Sequence, residues 1–135
     1  MTSRSKRQKN MAAEKSFENK IKAELHNRGA RQGRQDGGTC QGGAWFVKFF
    51  ANAFTPSGIP DILACLNGRF LGIEVTSGSS YGLTELQKYN LKQIRDAGGI
   101  GICVYPSGWE KFLQLLDDIQ AGRAIDINDD NYIMK

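Results

Sequence analysis

Apolar residues recur along this chain with two different periods, and each change of period marks an element. Phe17, Ile21 and Leu25 repeat every four positions, which predicts a helix over about 13–28, with Gly29 placed to end it. Glu18 lies three positions before Ile21, so it borders the buried stripe instead of the solvent face. Residues 44–50 are rich in aromatic and β-branched side chains and read as a strand. Alternation puts Trp45, Val47 and Phe49 on one face and Phe46, Lys48 and Phe50 on the other. Two further strands, 61–66 and 69–75, are joined by Asn67-Gly68, a dipeptide favoured in tight hairpin turns. Thr84-Glu85-Leu86-Gln87 is a capping box that opens a helix to about Ala97, and Gly98-Gly99 closes it. Residues 100–105 form a short apolar strand, and 109–121 an amphipathic helix. The expected order is α-β-β-β-α-β-α, a single α/β domain over 13–135 with a mixed sheet flanked by helices.

The remaining segments read as irregular. Residues 1–12 are expected to be a basic disordered arm. Residues 29–43, with six glycines, form a loop that could order on a ligand. The acidic stretch 126–131 is expected to be a solvated surface. Charge sharpens this division. Residues 1–34 carry ten Lys and Arg against Glu14, Glu18 and Glu24, a net of +7, whereas residues 35–135 carry a net of −3. A basic arm ahead of a mildly acidic body suits contact with nucleic-acid phosphates, and it also suits a solubilising tail.

Composition excludes several classes. No apolar run approaches the roughly 18 residues of a membrane span, and no apolar stretch follows the basic start as in a secretory signal. Cys40, Cys65 and Cys103 are odd in number and form no CxxC pair, which fits reduced thiols in a cytosolic protein. With His26 as the one histidine, neither a histidine-based metal site nor a Ser-His-Asp triad is credible.

The candidate chemistry lies in acids set inside apolar strands. Asp61 and Glu74 stand on the two arms of the predicted hairpin, where an ionised carboxylate is costly without a partner. With Glu18 as a third possible acid, they offer hard oxygen ligands for Mg²⁺ or Mn²⁺. A divalent metal beside a basic surface suggests phosphodiester chemistry. Each residue also has a plain structural explanation. Asp61 could cap turn amides after Pro60, and Glu74 could pair with Arg69 or Lys48. The macrodipole accounts for a glutamate early in a helix such as Glu18, and the capping box accounts for Gln87. Lys48 could cover apolar surface with its stem or aim a cation at a site. Ser77, Ser79 and Ser80 could donate to phosphates.

The motifs Gly58-Ile59-Pro60-Asp61 and Gly72-Ile73-Glu74-Val75, with Glu18 in the helix before and Gln87 in the helix after, resemble the PD-(D/E)xK nuclease superfamily. Within it, residues 14–106 look like the small stand-alone VRR-NUC domains of phages and bacteria. The resemblance implies a restriction-endonuclease-like core. It implies Asp61 and Glu74 as metal ligands with the Val75 carbonyl as a further ligand, Glu18 acting through a metal-bound water, and Gln87 shaping the site. It also implies a homodimeric, structure-selective DNA endonuclease akin to Holliday-junction resolvases; Leu91 and Leu115 are candidate surface residues for the dimer contact.

The chain departs from the motif at Thr76, where the family has a lysine on the same face as Glu74. A threonine donates a hydrogen bond but brings no positive charge. Lys48, or secondarily Lys88, could substitute. Alternatively, the chain could be a catalytically inactive DNA-binding module, natural or engineered, or a nuclease of the RNA-processing or restriction type.

Overall fold

The computed structural model describes residues 3–32, 43–50, 52–78 and 82–135. The elements follow in the order α1 (Ser3–Asn27), β1 (Arg31–Gln32), β2 (Ala44–Lys48), β3 (Ile62–Leu66), β4 (Arg69–Val75), α2 (Glu85–Asp96), β5 (Ile100–Val104), a 3-10 turn (Pro106–Gly108), α3 (Trp109–Gln120) and β6 (Ile133–Met134). The strands make one sheet in chain order. β2, β3 and β4 are antiparallel neighbours, while β1–β2, β4–β5 and β5–β6 are parallel. The molecule is thus a mixed α/β sheet flanked by helices.

The hairpin forms where the dipeptide predicts it. Asn67 and Gly68 both take positive φ, 49° and 76°, the combination whose twist matches the strands it joins. In the sheet, alternate residues serve two different layers. Phe46, Ile62, Ala64, Leu71, Ile73, Val75, Ile102 and Val104 face α1 and α3 and form the main core with Phe17, Ile21, Leu25, Phe112 and Leu116. The opposite face of β4 and β5 lies under α2, where Leu91 packs with Cys103 and Tyr105. α2 sits so close to β5 that a Cβ on Gly101 would collide with the Leu91 carbonyl oxygen.

Three expectations are corrected. The helix starts at Ser3, so residues 3–12 are helical backbone and not a disordered arm. No Gly or Pro interrupts the chain between Ser3 and Leu25, and Lys, Arg, Gln, Ala, Met and Glu all favour helix. Secondly, β1 and β6 extend the sheet beyond the expected order. β6 completes the far edge, with Cys103 N–H donating to the Tyr132 carbonyl and Tyr105 N–H to that of Met134. A two-residue strand carries no alternation for a sequence to reveal. Thirdly, Leu91 and Leu115 are buried, at 0% and 6% exposure, and are core residues instead of a dimer surface. Most of the Gly-rich loop, Cys40, Ser79 and Ser80 lie outside the described residues. Among the described residues, no helix is long and apolar enough to cross a membrane.

Candidate metal centre

Asp61 immediately precedes β3, and its carbonyl accepts the Phe49 N–H at 2.9 Å. This fixes it at the end of the sheet, between the α1 layer and the α2 layer. Its Oδ2 accepts the Val75 N–H at 2.9 Å, and its Oδ1 lies 3.6 Å from Lys48 Nζ. The carboxylate therefore holds the end of β4 and does not serve the turn at Pro60.

On the α1 side, Lys48 Nζ is 2.7 Å from Glu18 Oε1. Lys15 and Lys22 approach Glu18 Oε2 at 2.9 and 3.6 Å. Glu18 is 6% exposed, as its place beside the apolar stripe predicts, and it is surrounded by ammonium groups. Burial works to raise its carboxyl, but the hydrogen bonds from Lys48 and Lys15 outweigh that and hold it below the usual carboxylate range. Burial likewise works against the Lys48 charge, yet Glu18 and Asp61 bring its pKa above the ordinary lysine value. Lys48 is thus a fixed cation on the α1 face.

On the α2 side the balance is reversed. Glu74, at 3% exposure, receives one hydrogen bond, from Gln87 Nε2 to Oε1 at 3.3 Å. Its Oε2 is buried and accepts no hydrogen bond, and the carboxyl shares a hydrogen bond with the Asp61 carboxylate only when one of the two is protonated. Neither Arg69 nor Lys48 pairs with it. Gln87 does two jobs: its Oε1 accepts the Thr84 N–H at 2.8 Å in the capping box, and its amide reaches Glu74. Burial, and then the adjacent Asp61 carboxylate, push Glu74 up to about 9. At neutral pH, with no cation present, Glu74 is therefore protonated. Cys103, its register partner on β5, is pushed up to about 12 by burial and then by Glu74, so it remains a neutral thiol.

The lysine-position residue, Thr76, directly follows β4. Its N–H donates to the Val104 carbonyl at 3.2 Å, and its hydroxyl oxygen accepts the Gly78 N–H at 3.4 Å. Lys88 pairs with Glu85 at 3.3 Å on the exposed side of α2, so it is not brought to the acids. Glu14 was missed in the sequence. It stands one helical turn before Glu18, and its carboxyl is raised by burial and then by the charges of Asp61 and Glu18. The i,i+4 spacing to Glu18 was the available signal.

Among the described residues, no group of three or more His, Cys, Asp and Glu side chains is arranged to hold a metal. The candidate centre rests on two carboxylates. That donor set still fits Mg²⁺ or Mn²⁺, because Mg²⁺ sites commonly use one or two carboxylates and leave the remaining positions to water and substrate phosphate. The orphaned Glu74 Oε2 is the structural mark of the fit: a buried acceptor beside a second carboxylate needs either a proton or a cation. Glu18, with three lysines around it, has no such need. Comparison with family models, with curated proteins and with solved structures found no match to this chain.

Proposed function

We propose that this chain is a Mg²⁺- or Mn²⁺-dependent endonuclease of structured DNA, built on a VRR-NUC-like, restriction-endonuclease-like core and working as a homodimer. The observation that carries this reading is Glu74: buried, with no donor or cation at Oε2, and set beside Asp61 at the end of a β-hairpin. Asp61 and Glu74 would hold the cation, with the Val75 carbonyl beside them. When bound, it supplies Lewis-acid polarisation of a phosphate oxygen and activation of water.

The chain's own residues do the positioning. Gln87 fixes Glu74 Oε1, and the Val75 amide fixes Asp61 Oδ2. Lys48 supplies the positive charge that Thr76 lacks, held in place by Glu18. In this scheme Glu18 acts on the reaction by orienting that ammonium. The Thr76 hydroxyl is left to donate to a phosphate oxygen. Two copies related by a two-fold axis would present two such centres to two strands.

Thr76 favours a second reading, a DNA-binding module that has lost turnover. The test is Mn²⁺-dependent cleavage of a labelled four-way junction and a matched linear duplex by the native chain, Asp61→Ala and Thr76→Lys. Cleavage by the native chain but not by Asp61→Ala supports the nuclease. Cleavage by Thr76→Lys alone supports the binding module, and cleavage by none of them refutes the nuclease reading.

A further inference from the structure

The metal centre and the most basic part of the chain share one helix. Every described side chain from Gln8 to Ser16 is exposed, and Phe17 is the first to enter the core. Beyond Phe17 the helical backbone of α1 continues to Ser3. Over residues 3–16 the sequence carries Arg4, Lys6, Arg7, Lys9 and Lys15 against Glu14 alone. Lys15 is committed to Glu18, so the other cations of this segment's sequence are Arg4, Lys6, Arg7 and Lys9, of which Lys9 is exposed.

These four are spaced unfavourably for a helix in water. Arg4–Arg7 and Lys6–Lys9 are like-charge pairs at i,i+3, which destabilise a helix, and no acid stands in the first turn to offset them. A helix that is polar all round gains little from its own sequence and is held by what it contacts. An anionic partner turns each of these penalties into an attraction.

We infer that residues 3–12 of α1 form a basic helical rod that lies along duplex DNA flanking the metal centre and grips its phosphates. This rests on the nuclease reading for the choice of DNA. The rod gives the grip a length. At 1.5 Å per residue, Arg4 lies about 21 Å and Lys9 about 13 Å along the axis from Glu18. At 3.4 Å per base-pair step, this corresponds to phosphates about four to six base pairs from the scissile position. Sequence is not read by such contacts; they set position and affinity.

The test uses the full chain and the variant Arg4→Ala/Lys6→Ala/Arg7→Ala/Lys9→Ala, with binding followed by fluorescence anisotropy in Ca²⁺. One probe is a duplex of about 30 base pairs; a second is cut to about three base pairs on either side of the cleavage position. The native chain is expected to bind the long duplex at least about tenfold more tightly than the variant, with a salt slope steeper by about 3. On the short duplex the two chains are expected to bind alike. Hydrogen exchange in residues 3–12 should slow on the long duplex only. Equal binding of the long duplex by both chains, or the same loss on both probes, overturns the inference, as does tighter binding to single-stranded RNA. Equal binding with Mn²⁺-dependent cleavage intact leaves the nuclease standing without its rod. A length-dependent loss without any cleavage leaves the rod and refutes the nuclease.

Discussion

Two buried glutamates face each other across the end of one sheet, and they are treated in opposite ways. Glu18, on the α1 side, sits within salt-bridge distance of three lysines and is held ionised. Glu74, on the α2 side, has one amide donor and no cation, and is held protonated against Asp61. Asp61 stands between them, touching Lys48 on one side and raising Glu74 on the other. The lesson is that burial alone does not identify a metal ligand. A carboxylate whose charge is already balanced is a scaffold for the cations around it; one that lacks a balancing charge is where an added cation gains most.

This contrast can be broken at several points. The largest effect is expected at the α2 half. Asp61→Ala or Glu74→Gln should lower Mn²⁺-dependent cleavage by about 10³-fold or more, read in single-turnover assays, because each would remove one of the two proposed acidic ligands. Chelation of the metal should match that loss.

Next is the α1 half. Lys48→Ala leaves Glu18 and Asp61 without their shared ammonium and should cost about 3 kcal/mol in urea unfolding. Glu18→Gln/Lys48→Met, which removes both charges, should recover most of that stability while still cutting poorly. If Lys48→Ala destabilises but cleaves as the native chain does, the lysine is structural only.

A smaller effect has a definite pH signature. Glu74 binds its proton more tightly in the folded chain, with a pKa near 9, than at the ordinary carboxylate value of 4.5. Between these values the unfolded chain has released a proton that the folded chain keeps. Its contribution to stability is therefore full below pH 4.5 and is lost as pH rises toward 9. Metal-free Glu74→Gln should thus gain stability relative to the native chain as pH rises from about 4 to about 8, with no gain at about pH 4. Thermal unfolding across that range checks it.

The smallest expected change is at Gln87. Gln87→Ala removes half of a capping box and the hydrogen bond to Glu74, and should cost about 1 kcal/mol in stability. Gln87→Glu keeps the cap but places a third carboxyl near Glu74. It should raise the metal-free Glu74 pKa further, visible by NMR titration.

The sequence was most legible where period and turn chemistry agreed. The hairpin at Asn67-Gly68, the capping box at Thr84 and the stripe from Phe17 to Leu25 each appear where those patterns place them. Alternation also put Lys48 on one face with Phe46; the strand register shows that this face meets α1 and Glu18 and that Glu74 lies on the other. Less legible were features with no period. β1 and β6 are too short to alternate, and the first turns of α1 have no apolar stripe to announce a helix. Which acid goes unpaired could not be read from spacing either, because three lysines distant or near in sequence, Lys15, Lys22 and Lys48, converge on Glu18 only in the fold.

The most direct test of the account is calorimetric titration of Mn²⁺ into the native chain, Glu74→Gln and Glu18→Gln at pH 7, in two buffers of different ionisation enthalpy. The native chain is predicted to bind one ion per centre and to release about one proton, the one that Glu74 carries without metal. Glu74→Gln should bind at least about tenfold more weakly and release none, whereas Glu18→Gln should bind within about threefold of the native chain. Undiminished binding by Glu74→Gln, or a loss in Glu18→Gln as great as in Glu74→Gln, would contradict the division of roles between the two glutamates.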